Sequence, residues 1–154
     1  MSKHSFTPNN GRAKMEATKE KKSKERSIKA DIIKAHLTSN FAYYRDKFKK
    51  YVRERDYGYA ISWLGYDVMM EQHLERHLKI IRNSIANCRS LESIEKKLLT
   101  FKEQYTRNVL IIYSVEWDTS SSTMHNQEDK ARKAAMMRVV SRLEEALIVL
   151  GYSI

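Results

Sequence analysis

Apolar residues recur every seven positions between Leu91 and Val115, and this spacing limits the fold of the chain more than any other feature. The two seams consist of Leu91, Leu98, Tyr105 and Ile112, and of Ile94, Phe101, Asn108 and Val115. Four consecutive heptads predict a long helix that packs against other helices. Extra apolar residues such as Leu99 and Leu110 widen this face, which favours a bundle over a bare two-stranded coil.

Apolar residues at helical spacing predict three further helices in the bundle. Capping residues at 38–40 indicate a break, after which a second helix carries an aromatic face of Phe41, Tyr44, Phe48 and Tyr51. A third helix of about 27 residues is expected after a tight corner at Gly58, because apolar residues at helical spacing continue from Tyr59 to Cys88. Ser90 is expected to cap the helix that carries the heptads. Asn126 is expected to cap the last helix, and Gly151 is expected to end that last helix.

Four glycines and one proline in 154 residues are too few for a fold rich in turns and strands. We therefore predict an all-α fold, with about four amphipathic helices forming a bundle over residues 27–154. Residues 1–26 form a separate basic arm in this interpretation. Its first part, Met1–Arg12, is predicted to be disordered because it offers almost no apolar surface to bury.

The segment Lys14–Lys29 contains seven basic and three acidic residues. Glu20 and Glu25 each precede a lysine by four positions, which supports a helix through side-chain pairs with Lys24 and Lys29. No apolar stripe opposes these charges before Ile28, so we expect this helix to project beyond the core. This exposed helix could be one that forms only when a ligand binds to it.

Positive charge is concentrated in the first third of the chain. The formal net charge is +10, and residues 1–58 contain 16 Lys or Arg against seven Asp or Glu. Such a block attracts nucleic acid, an anionic membrane surface or an acidic protein. Aromatic and basic residues also alternate in the second helix, a combination used to stack bases and bind phosphates. The aromatic face of this helix is more simply explained as part of the core, and the cations around it stay exposed in either case. The predicted nucleic-acid contacts are Lys14, Lys19, Lys21, Lys22, Lys24, Arg26, Lys29, Arg45, Lys49, Lys50 and Arg53.

No motif points to catalysis or to a cofactor. His73 and His77 have a spacing that can share a metal, but no third ligand is evident, and His77 lies on the apolar stripe of the third helix. We expect no metal site, no cofactor and no enzymatic activity. The single cysteine, Cys88, is expected to be a small buried group in a reducing compartment.

The longest apolar run, at 109–113, is far too short to span a bilayer, and the amino terminus has no apolar signal core. The sequence thus predicts a cytoplasmic protein without a membrane partner.

Two functions remain open from the sequence. The first is non-enzymatic binding of DNA or RNA through phosphates, with the bundle supporting the fold or an oligomer. The alternative is a protein–protein adaptor or assembly component whose basic arm docks an acidic partner. In either case the helix at 91–115 could pair with a second copy or with another protein, and Asn108 in its seam could fix the register.

Overall fold

The computed structural model describes the backbone of residues 3–54, 64–114 and 123–153, and the side chains of residues 13–54, 64–111 and 127–153. The described residues form five helices and no strand. The helices are α1 (Lys3–His36), α2 (Phe41–Arg53), α3 (Gly65–Ala86), α4 (Leu91–Ser114) and α5 (Thr123–Val149). The predicted all-α helical bundle is confirmed.

The core lies between α3, α4 and α5, and the carboxyl-terminal part of α1 closes it. Ile94 and Leu98, from the two predicted seams, are fully enclosed, as are Ile32 and Leu37 at the end of α1. Asn108, which belongs to the same seam as Ile94, is half-buried. Small residues on α5 let the helices approach closely, and all three are at 0% exposure: Ala131, Ala135 and Ala146.

Contacts between the helices fix their directions. The side chain of Lys29 reaches the end of α3 at Ala86, whereas Asn40, after the end of α1, is bonded to Glu71 near the beginning of α3. α1 and α3 are therefore antiparallel. His36 contacts Glu145 of α5, and Glu71 contacts Arg138 of the same helix, so α5 runs in the same direction as α3.

Three charged side chains of α3 hold the turn between α1 and α2. Glu71, only 2% exposed, accepts a hydrogen bond of 2.9 Å from the backbone N–H of Asn40. Arg82 donates to the carbonyl of Leu37 at 2.9 Å and forms two bonds of 2.9 and 2.7 Å with Glu75. Ser39 donates to the same Glu75 carboxylate at 3.0 Å. We call Glu71, Glu75 and Arg82 the turn clamp.

The hydrogen bonds of Arg82 hold the pKa of Glu75 below its usual value, and those of Glu75 raise the pKa of Arg82. Both charges are thereby favoured in the folded state. The break predicted at 38–40 is present, but Asn40 makes no capping bond with its side chain. Ser39 instead accepts a bond from the N–H of Phe41, and Glu71 supplies the acceptor for Asn40.

The amino-terminal arm differs from its predicted form. α1 continues without a break from Lys3 to His36, through most of the segment 1–12 for which the sequence predicts disorder. The expected boundary at 26/27 lies inside this helix. Partial burial begins close to this boundary, because residues 13–24 are all exposed and Glu25 is the first residue of intermediate exposure among the described side chains of α1. Propagating a helix from a packed end costs much less than nucleating one.

The ends of the other helices agree with the sequence in part. Ser90 and Ser93 form a reciprocal cap at the start of α4, as expected. α5 begins at Thr123, three residues before the predicted cap at Asn126. Gly151 ends α5 with φ 85°, and the N–H groups of Gly151 and Tyr152 bind the carbonyls of Ile148 and Leu147. The corner at Gly58 and the expected helix start at Tyr59 lie outside the described residues.

The aromatic face of α2 is half-buried rather than enclosed. Its four members, Phe41, Tyr44, Phe48 and Tyr51, all have intermediate exposure, and none of the residues of α2 is fully buried. α2 packs on α3 and makes no contact with α1 within the described residues. The aromatic face is therefore the more buried side of α2, but it adds little to the central core.

We expect Glu71→Ala to lower the free energy of unfolding by about 2–3 kcal/mol, because the N–H of Asn40 loses a charged acceptor at a partly buried site. Urea denaturation measures the change. Glu103→Ala is the matched control, since Glu103 lies on the exposed face of α4 and its one ion pair among the described side chains is with Arg107. The control should lose about 0.5 kcal/mol or less. Equal losses in the two variants would show that the clamp does not stabilise the turn.

We expect Asn108→Leu to raise the melting temperature by about 2–4 °C, because an apolar side chain packs better at a half-buried seam position. Gln104→Leu, at an exposed position of the same helix, should leave the melting temperature almost unchanged. A lower melting temperature for Asn108→Leu would mean that Asn108 makes a hydrogen bond that the fold requires.

Candidate nucleic-acid interface

The amino-terminal part of α1 carries six of the predicted contacts on a solvent-exposed helix. We call residues 13–26 the basic half-helix. Every residue from Ala13 to Lys24 is exposed, and so is Arg26. None of its six cations forms an ion pair with another described side chain, so each can approach an external anion. These cations are Lys14, Lys19, Lys21, Lys22, Lys24 and Arg26.

Lys29 has a different environment from the other predicted contacts. Its ammonium group donates hydrogen bonds of 3.1 Å to the carbonyl oxygens of Ala86 and Cys88. These carbonyls belong to the negative end of the α3 dipole, which a cation stabilises. The predicted pair of Lys29 with Glu25 is therefore not formed. Lys29 caps α3 and joins it to α1, and only one of its three donors remains for a ligand.

The four predicted contacts of α2 are also exposed. Arg45, Lys49, Lys50 and Arg53 all lie at the surface. Arg45 is 3.3 Å from the carboxylate of Asp46, and its guanidinium lies 5.6 Å from the centre of the Phe41 ring. An ion pair this exposed contributes little to the stability of the fold, so Arg45 can leave Asp46 and pair with a phosphate at a low cost in free energy.

The structure separates the basic half-helix from the cations of α2. Lys29 marks the carboxyl end of α3, whereas Asn40, immediately before α2, lies beside Glu71. The 16 residues between Glu71 and Asn87 correspond to roughly 24 Å along the helix axis. The eleven predicted contacts therefore do not form one continuous face.

A cavity of 430 Å³ lies at the base of the basic half-helix, against the turn between α3 and α4. Arg89, in this turn, is exposed and lies beside Lys22 and Arg26. Arg89 was not among the predicted contacts, because it is isolated from the basic block along the chain. Only the antiparallel packing of α1 on α3 brings it there.

His73 and His77 do not belong to a metal cluster among the residues that the structure describes. The Nδ1 atom of His77 lies 2.9 Å from the hydroxyl of Tyr105, and the two rings meet edge to face at 84°. Burial lowers the pKa of His77, and the nearby His73 and Arg76 lower it further. Burial, followed by Arg132 and Arg76, lowers the pKa of His73. His77 therefore joins α3 to α4, and its lowered pKa favours the neutral form.

Apolar side chains are exposed on the outer face of α4. Leu110 is 65% exposed, and a shallow groove beside it is formed by Leu99, Lys102, Glu103, Thr106 and Arg107. This surface belongs to the helix for which the sequence predicted a protein contact. Cys88, in contrast, is only 8% exposed and lies 3.5 Å from the carbonyl of Ser84, as expected for a small buried group.

Comparison with models of known protein families, with curated proteins and with solved structures gives no match for this chain. Among the described residues, no helix is both long enough and apolar enough to pass through a bilayer.

We expect the stability of the fold to decrease on acidification from about pH 7.5 to about pH 5.5. The folded chain keeps His73 and His77 at lowered pKa values, whereas the unfolded chain binds protons near the ordinary histidine pKa of 6.5. The unfolded state therefore holds more protons than the folded state just below pH 6.5. The free energy of unfolding consequently decreases as the pH is lowered, until the pH reaches the pKa values of the two histidines in the folded state.

Urea denaturation at several pH values measures this slope. The double variant His73→Gln, His77→Gln should show a shallower slope, and the control Tyr105→Phe should keep the slope while losing the hydrogen bond to His77. If the double variant keeps the full pH dependence of the parent chain, other groups cause it.

Proposed function

We propose that the chain binds nucleic acid without catalysing a reaction, and that the basic half-helix is its principal contact with backbone phosphates. The observation that carries this proposal is the exposure of its six cations without an ion pair to any described side chain. Lysine and arginine that neutralise phosphates release condensed counterions, which is the main source of sequence-independent affinity. The proposal includes both DNA and RNA, since phosphate contacts alone read no bases.

The packing of α1 also supports this function. Lys29 and the turn clamp anchor the helix at its carboxyl-terminal part, while the basic half-helix extends from the bundle into solvent. Polyanions therefore meet the cations without displacing any packed element. The cations of α2, at the other end of α3, form a second and smaller basic surface that a long strand could reach.

The test compares two variants with equal charge. The first changes Lys14, Lys19, Lys21 and Lys24 to Gln, and the second changes the exposed Lys79, Lys96, Lys97 and Lys130 to Gln. Each lowers the formal net charge of +10 by four. Gln has a helix propensity close to that of Lys, so both variants should fold.

We expect the first variant to bind short fluorescent DNA and RNA at least about tenfold more weakly than the parent chain. Its plot of log affinity against log salt, between about 50 and about 200 mM, should be shallower by about three to four. The control variant should lose less than about threefold. Equal losses would mean that net charge alone attracts nucleic acid, and an unmodified chain that binds neither DNA nor RNA at low salt would disprove the function.

The exposed face of α4 favours an adaptor as the second candidate function. Leu110 and the groove beside it offer an apolar surface to a partner helix or to a second copy of the chain. Leu110→Glu should then abolish a dimer or larger species seen by sedimentation, without changing the melting temperature. If the chain is monomeric before and after the change, self-association through this face is excluded.

A further inference from the structure

The cavity at the base of the basic half-helix brings together charges that are distant in sequence. We call it the basic cavity, and its walls come from α1, from the end of α3 and from the start of α4. Lys22, Arg26 and Lys29 contribute from α1, and Arg89 contributes from the turn after α3. Glu25 is the one carboxylate in its lining.

These charges do not neutralise one another. Four cations face one carboxylate, so the lining has a formal charge of +3. Within the described side chains, Lys22, Arg26 and Arg89 form no ion pair. Like charges in a concave site repel one another and raise the local potential, and a bound anion relieves this cost.

The walls of the basic cavity are held in place by hydrogen bonds. Lys29 bonds to the carbonyls of Ala86 and Cys88, which fixes α1 against the turn that contains Arg89. Ser90 and Ser93 bond reciprocally and fix the start of α4, which adds the positive end of a helix dipole to the cation set. The site is therefore built before a ligand arrives.

We propose that the basic cavity binds a phosphate monoester or inorganic phosphate as the dianion. Arginine is suited to this group because its planar fork donates two parallel hydrogen bonds to phosphate oxygens. A dianion with three terminal oxygens can meet Arg26, Arg89 and Lys22 together, whereas a single carboxylate offers two oxygens and one charge. The terminal phosphate of a nucleic-acid strand is one source of this group, and that assignment rests on the proposed function.

The experiment uses the full chain and five probes, one of which is a short peptide rich in Asp and Glu whose binding is measured by calorimetry. Inorganic phosphate is titrated by calorimetry, and three versions of one DNA oligonucleotide are compared by fluorescence anisotropy: with a 5′-phosphate, with a 3′-phosphate and with neither. Arg89→Gln is the test variant, because Arg89 lies outside the basic half-helix. Arg107→Gln removes an exposed arginine on α4, away from the basic cavity, and is the matched control.

We expect Arg89→Gln to weaken binding of inorganic phosphate by about tenfold or more, the loss of one charged pair of hydrogen bonds. It should also remove a preference for a terminally phosphorylated strand, while the unphosphorylated oligonucleotide binds as before. Arg107→Gln should change neither quantity. The melting temperature of each variant confirms that the fold is intact.

The remaining outcomes separate this site from the proposed function. Arg89-dependent binding of inorganic phosphate, with no preference among the oligonucleotides, supports the phosphate site and rejects a strand end as its source. If Arg89→Gln binds inorganic phosphate and phosphorylated ends as tightly as the parent chain does, the proposed phosphate site is wrong, even if nucleic acid binds to the basic half-helix. An acidic peptide that binds through Arg89, in the absence of phosphate binding, overturns it in favour of a carboxylate partner.

Discussion

The buried carboxylate of Glu71 and the paired charges of Glu75 and Arg82 hold the turn at 37–40, and the position of α1 depends on them. Burying charged groups costs free energy unless hydrogen bonds compensate for the lost water. Here the compensation comes from backbone groups of Leu37 and Asn40, which themselves need partners at the junction of two helices. The clamp thus satisfies both sets of groups, and it fixes the antiparallel direction of α1 that brings its cations to the far end of α3.

The periodic apolar residues predicted the architecture well, and Ile94 and Leu98 are at the centre of the core as their spacing indicated. The same reasoning did not identify the turn clamp. Hydrophobic periodicity shows which face of a helix is buried, but it cannot show that Glu71 is buried on that face through bonds to a turn 31 residues away. It also did not show that the seam side chain of Asn108 would be only half-buried, since exposure depends on how neighbouring helices pack.

The cations of the candidate interface were evident from charge alone, but their arrangement was not. Lys29 has the same chemistry as its neighbours in the sequence, and only the fold directs it to the carbonyls at the end of α3. The direction in which α2 leaves the turn separates Arg45 and its neighbours from the basic half-helix. Arg89 joins the site for the converse reason, because tertiary packing brings a lone arginine to a basic segment more than 60 residues earlier in the sequence.

The continuity of α1 changes what a ligand must do to order its exposed part. A detached basic peptide has to form a first helical turn before any further turn is favourable, and this step is the costly one. In this chain the packed residues around Ile32 already provide that turn, so helix grows outward from the bundle one residue at a time. The residues next to the bundle are consequently the most protected against fraying, and residues toward Lys3 extend a template that already exists, although Pro8 has no N–H to donate to the carbonyl four residues before it.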